Sequence, residues 1–80
     1  MSIRAEAEDW IVKAILHHGG KATLLEISKY VWDNYESYLR NHGDAFYTWQ
    51  YDIRWAGQKL RDKKILKSAT GSIKGTWEIL

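Results

Sequence analysis

Apolar side chains recur every three or four residues in three stretches of the chain, which is the spacing of one helix face. The first stretch covers about residues 2–18 and stops at Gly19-Gly20, where glycine permits a left-handed turn. The second begins at Thr23-Leu24-Leu25-Glu26, a capping box in which the Thr23 and Glu26 side chains each accept from the other's backbone amide. Residues 35–40 either continue this second helix or form a separate turn.

The third stretch, about residues 46–63, has the most informative pattern. One narrow apolar stripe on this helix is formed by Trp49, Ile53, Ala56 and Leu60. Polar and aromatic groups occupy the opposite side, namely Tyr51, Arg54 and Gln58, with Gln50 and Arg61 along one edge. Thr48 is placed to cap the start of the helix.

Trp55 does not fit this division, because it lies about 240° around the helix from Trp49. Two interpretations stay open. Either Trp55 packs beneath a C-terminal hairpin or the loop before this helix, or it is exposed as a contact.

After Leu60 the periodicity changes. Residues 65–69 and 76–80 are predicted to form two strands, joined by a loop at 70–75. Lys21-Ala22 is a short extended segment where a third strand would pair with this hairpin. The order predicts one α+β domain over residues 1–80: a winged helix-turn-helix of three helices, with residues 65–80 as the β-hairpin wing.

Composition narrows the class of protein. The 80 residues are 45% hydrophobic with five Trp and five Tyr, which is typical of a folded core, and the absence of Cys excludes disulfides. No apolar run is long enough to span a membrane and no signal peptide is recognisable, so we expect a soluble, cytoplasmic protein without a membrane partner.

Charge is divided unevenly along the chain, although the net value is only +2. Residues 1–52 carry five basic and eight acidic residues, a balance of −3, whereas residues 53–80 carry seven and two, a balance of +5. The positive part begins inside the third helix, as expected for a protein that binds phosphates.

The outer face of the third helix predicts DNA binding, since Arg and Gln carry forked groups that match base edges in the major groove. The residues expected to face the groove are Thr48, Gln50, Tyr51, Arg54 and Gln58; those expected to neutralise phosphates are Arg61, Lys67 and Lys74. Competing interpretations are that Arg54 pairs with Asp62 or Glu36, and that the hairpin lysines are merely solvated. A different class, a protein–protein interaction module with a Tyr/Trp-rich surface, also fits this pattern.

The sequence contains few groupings of side chains that could form a catalytic or metal site. Asp62-Lys63-Lys64 and Glu78 do not supply the spaced carboxylates of a metal-dependent nuclease. Adjacent His17 and His18 would point about 100° apart on a helix, so they do not easily share a metal. We therefore expect no enzyme activity, no metal and no cofactor.

The C-terminal part of the chain resembles the winged-helix domain at the N-terminus of Mrr-type restriction endonucleases. The residues that carry the resemblance are Arg54-Trp55-Ala56, Leu60, Ile65 and Gly75-Thr76-Trp77-Glu78-Ile79. It implies a restriction-associated DNA-binding module whose nuclease is a separate domain. The implied partners are double-stranded DNA and either a nuclease or other effector domain or a second copy. One departure is Lys63-Lys64 where that family often has a helix-ending Gly, so a positive helix terminus is expected to replace a left-handed glycine.

Overall fold

The computed structural model describes residues 3–67 and 75–80. Within them the chain forms an α+β domain in which three helices and two short strands follow the predicted order. The elements are α1 (Arg4–His17), β1 (Lys21–Thr23), α2 (Leu24–Arg40), α3 (Ala45–Asp62) and β2 (Thr76–Glu78). This arrangement is compatible with a winged helix. No helix of the described part combines the length and apolar character needed to cross a membrane.

The end of α1 and the start of α2 lie where local chemistry predicts them. Gly19, just past the end of α1, has a φ of 86°, which is the left-handed conformation expected there. The capping box is confirmed: the Glu26 amide donates to the Thr23 hydroxyl at 3.1 Å, and the Thr23 amide donates to the Glu26 carboxylate at 2.8 Å. The helix continues through residues 35–40, across a kink at Tyr35 where φ is −127°.

The prediction that Thr48 caps α3 is wrong. The helix begins at Ala45, and Asp44 holds the cap position without a side-chain capping bond. Ala45 is 3% exposed and lies one turn before Trp49, so the buried apolar stripe begins one turn earlier than the sequence pattern indicated. The Thr48 hydroxyl instead donates to the Asp44 carbonyl and to the Asp52 carboxylate, each at 3.2 Å.

The end of α3 also differs from expectation. A left-handed residue is present after all, because Lys64 has a φ of 61°. The Lys64 amide donates to the Arg61 carbonyl at 3.0 Å and the Ile65 amide to the Leu60 carbonyl at 2.9 Å. These two bonds define a Schellman motif, with lysine in the place that glycine usually takes.

The predicted pairing of the Lys21–Thr23 segment with the hairpin is confirmed. β1 runs antiparallel to β2, with Ala22 opposite Trp77. On its other side β2 continues into Ile79, which bridges antiparallel to Leu66. The chain therefore doubles back between 65–67 and 78–80, with the second segment in the middle of the sheet. The remainder of the predicted hairpin, residues 68–74, lies outside the described residues.

The core lies between α1, α2, α3 and the inner face of the sheet. The predicted apolar stripe of α3 is buried throughout, and Trp77 of β2 is 8% exposed. A β-carbon built on Gly57 would lie 2.5 Å from Cζ3 of Trp77 and closer still to Cη2. The absence of a side chain at Gly57 therefore lets the hairpin lie directly on α3.

Candidate nucleic-acid interface

The outer face of α3 carries two parallel ridges of side chains, each repeating every four residues, or about 6 Å along the axis. We define the polar ridge as Gln50, Arg54 and Gln58, and the aromatic ridge as Tyr47, Tyr51 and Trp55. All six are exposed, as the sequence predicts for Gln50, Tyr51, Arg54 and Gln58. Burial of the opposite face in the core holds both ridges outward.

Arg54 lies at the centre of the polar ridge. Within the described residues its side chain makes no hydrogen bond or ion pair. The acids that were expected to compete for it have other partners, since Glu36 accepts from Arg40 at 2.7 Å and Asp62 accepts from Gln58 at 3.1 Å. A fully charged guanidinium therefore stands in the middle of an exposed helix face.

Trp55 follows neither interpretation fully. It is 36% exposed, and the side chain of Arg4, from the first turn of α1, lies over its ring. The Arg4 guanidinium lies 4.3 Å from the ring centroid and the Lys59 ammonium 5.0 Å from it. Two cations thus already occupy the ring, at distances that favour cation–π attraction.

Tyr47 was not among the predicted site residues, although it is 83% exposed and Tyr51 is 68% exposed. Its spacing of four residues from Tyr51 is the signal that could have identified it. Other tyrosines are not available for contacts in the same way. Tyr35 stacks on Trp10 with ring centroids 4.3 Å apart, and Tyr38 packs edge-on against the same ring.

The predicted phosphate-binding residues are partly engaged within the protein. The Arg61 guanidinium lies 5.4 Å from the Trp77 ring centroid, and its buried Nε has no hydrogen-bond partner among the described residues. Lys67 lies 3.3 Å from the Glu78 carboxylate, and Lys63 lies 2.6 Å from that of Glu8. Lys74 is outside the described residues. Glu78 is already counted in the +5 balance of residues 53–80, whereas Glu8 of α1 adds a negative charge beside Lys63 from outside that segment.

A groove of about 490 Å³ runs between α2 and α3 beside the polar ridge. The sequence does not reveal it, because the two helices contribute separate walls. Its lining residues are Ser28, Lys29, Trp32 and Asp33 of α2 with Phe46, Trp49 and Gln50 of α3. We call this the α2–α3 groove.

A second groove, of about 470 Å³, lies at the start of α2 and is lined in part by His17, His18 and Glu26. The Thr23 amide donates to the Glu26 carboxylate and, with the nearby His18, lowers the pKa of this carboxyl group. The His18 Nδ1 is 3.8 Å from the same carboxylate. No group of three or more His, Asp or Glu residues in the described part of the chain is arranged to hold a metal ion.

Comparisons with family models, with curated proteins and with solved structures find no match to this chain. The resemblance to the winged-helix domain of Mrr-type endonucleases therefore stays a prediction that depends on residues 54–79.

Proposed function

We propose that this chain is a non-catalytic winged-helix domain that binds double-stranded DNA, with α3 in the major groove and the hairpin as a wing on the backbone. The observation that carries the proposal is the exposed polar ridge, centred on Arg54, on a helix whose other face is buried. A solvated helix face usually mixes Glu with Lys, whereas this ridge presents a guanidinium between two amides.

Each member of the ridge has a distinct part in this proposal. The Arg54 guanidinium donates two hydrogen bonds to O6 and N7 of a guanine, a contact worth about 1–3 kcal/mol of discrimination. Gln50 and Gln58 have the amide fork that pairs with adenine. Gln58 first has to give up its bond to Asp62, so we expect Gln50 to contribute more. Thr48 and Tyr51 complete the reading surface.

Phosphate contacts supply most of the affinity in protein–DNA complexes and make it salt-dependent. In this proposal they come from Arg61 at the end of α3 and from Lys67 and Lys74 of the wing. Since Lys67 already faces Glu78, we expect a shallow salt dependence compared with strongly basic winged helices. The proposal includes the setting implied by the Mrr resemblance: a cytoplasmic recognition module that acts with a nuclease, another effector domain or a second copy.

The test is a titration of the isotope-labelled domain with a duplex of mixed sequence, followed by NMR. Binding should shift the amide signals of residues 47–61, and Arg54→Ala should weaken affinity for the best site by about 5- to 150-fold. Lys13→Ala is the matched control, because it removes the same charge from the exposed face of α1, where Lys13 pairs with Asp9. Equal affinities for both variants, with folded spectra, would remove Arg54 from the interface and with it the observation on which the proposal rests.

A protein–protein interaction module is the second candidate, and the observation in its favour is the aromatic ridge. Tyr47 and Tyr51 expose large rings side by side, a composition typical of binding hot spots. Salt separates the two functions. DNA affinity should fall linearly with the logarithm of salt concentration, by about 0.9 log units per phosphate contact, whereas an aromatic anchor is largely insensitive.

A further inference from the structure

We propose that the α2–α3 groove receives a single unstacked nucleobase from the bound DNA, so that the domain prefers duplexes that contain an unpaired base. The inference rests on the proposed function, since it requires DNA along α3. It adds a ligand class and a site that the helix face alone does not supply.

The groove has an aromatic floor that is already in place. The rings of Trp32 and Trp49 are inclined by 19° with centroids 5.9 Å apart, and Phe46 lies 6.4 Å from Trp32. The Arg40 guanidinium lies 5.3 Å from the Trp32 centroid and 5.2 Å from that of Phe46, and Glu36 holds it at 2.7 Å. These contacts fix the orientation of the Trp32 and Phe46 rings, so the aromatic floor is formed before a planar ligand enters the groove.

The rim of the groove supplies the polar groups that a base edge requires. Ser28 offers a hydroxyl, Lys29 an ammonium, Asp33 a carboxylate and Gln50 an amide. Donors and acceptors are thus both present around an apolar floor, as in sites for small polar aromatic ligands. A volume of about 490 Å³ lies within the range of such clefts. An aliphatic ligand would leave these rim groups unused.

The α2–α3 groove lies next to the helix face that would contact the DNA. Gln50 belongs both to the polar ridge and to the wall of the groove, and Phe46 lies one turn before it. A base that leaves the stack of DNA lying along the polar ridge is therefore next to the opening. Extrusion from a matched duplex costs a few kcal/mol, and much less where the base is already unpaired. Selectivity for unpaired bases follows from this difference.

The experiment compares duplexes that are identical except at one central position, which is matched, mismatched or a single-base bulge. Fluorescence anisotropy with labelled duplexes gives the affinities. We expect the bulged and mismatched duplexes to bind at least tenfold more tightly than the matched one, the equivalent of about 1.4 kcal/mol. The indole N–H signal of Trp32 should shift with the bulged duplex and not with the matched one.

Ser28→Phe fills the groove from its α2 wall, and Ser37→Phe places the same ring at an exposed position of α2 outside it. We expect Ser28→Phe to abolish the preference while leaving affinity for the matched duplex unchanged, and Ser37→Phe to change neither. Thermal unfolding checks that both variants fold. If Ser28→Phe does not fold, Asp33→Ala takes its place and should reduce the preference.

The outcomes distinguish this inference from the function on which it rests. Equal affinity of the wild type for matched and bulged duplexes overturns the groove proposal and leaves duplex binding intact. A preference that persists in Ser28→Phe moves the unpaired base to another site and overturns the proposal equally. Failure to bind any of the duplexes overturns the proposed function, and the nucleobase site with it.

Discussion

Replacing Gly57 with alanine should displace the C-terminal hairpin from α3. The new β-carbon would lie 2.5 Å from Cζ3 of Trp77, whereas carbon atoms pack at about 3.5–4.0 Å. The ring edge therefore has to retreat by about 1 Å. Trp77 is 8% exposed, and its strand is hydrogen-bonded to β1 on one side and to the 65–67 segment on the other. The ring cannot withdraw unless the sheet moves with it.

Two opposing effects determine how far Gly57→Ala changes the free energy of unfolding. Alanine stabilises a helix interior by about 1 kcal/mol relative to glycine. Overpacking a well-filled core costs about 1–3 kcal/mol, and the restrained ring places this site in the upper part of that range. We expect Gly57→Ala to lower the free energy of unfolding by about 1–2 kcal/mol, and the melting temperature by about 5–15 °C in a domain of this size.

Thermal and urea unfolding followed by circular dichroism measure this change. Trp77→Phe provides the decisive background, because the shorter side chain lacks the distal ring atoms that the new β-carbon would meet. In that background Gly57→Ala should become stabilising, as the helix propensity term alone remains. A Gly57→Ala protein that is more stable than the wild type in both backgrounds would refute the close packing of Trp77 on α3.

Three further predictions concern helix ends. Lys64→Gly should raise the free energy of unfolding by about 1 kcal/mol, because glycine adopts the left-handed conformation of this position without strain; a lower melting temperature would contradict the Schellman geometry. Thr23→Ala should cost about 1 kcal/mol by removing the cap of α2. The lowered pKa of Glu26 means that its contribution is complete above the ordinary Glu pKa of about 4.3 and is lost as the pH falls through the lowered value. Glu26→Gln keeps the hydrogen-bond acceptor but does not titrate, so its stability should fall less steeply between about pH 5 and pH 3, and equal slopes would exclude this carboxylate as the cause.

Features that depend on neighbours along the chain could be predicted from the sequence. The capping box needs only Thr23 and Glu26, and the stripe of α3 needs only helical spacing, so both were confirmed. Thr48 was misplaced for a related reason. A threonine can cap a helix through contacts with its immediate neighbours. Here, however, Ala45 is also buried, and the helix begins at that residue instead.

Features that depend on tertiary packing could not be predicted in this way. The partners of Lys63 and Arg4 lie 55 and 48 residues away, so no local pattern links them. The α2–α3 groove exists because Trp32 and Trp49 meet from separate helices. The pairing of Lys63 with Glu8 is a contact of the same kind, and a charge count along the chain does not show it.

The buried carboxylate of Asp52 carries the last prediction. Arg4 donates to its Oδ1 from Nε at 3.1 Å, and Thr48 donates to its Oδ2 at 3.2 Å. The two partners are unequally buried, since the Asp52 side chain is 8% exposed and that of Arg4 is 37% exposed. Removing one therefore has a different consequence from removing the other. Without Asp52, the partly exposed Arg4 side chain still reaches water, whereas without Arg4 the Asp52 carboxylate stays buried with its bond from Thr48.

Arg4→Ala should consequently cost about 1–3 kcal/mol, the penalty for a buried polar group that loses its partner. Asp52→Asn alone should cost less, because the amide still accepts from Arg4 and donates to the Thr48 hydroxyl. Introduced into Arg4→Ala, the same Asn should restore part of the lost stability, since it removes the buried charge. A double variant less stable than Arg4→Ala alone would show that Arg4 does not act mainly through the carboxylate, and would favour other contacts such as the one with Trp55, 4.3 Å from the ring centroid. Urea unfolding of the four proteins in one double-mutant cycle decides between these roles.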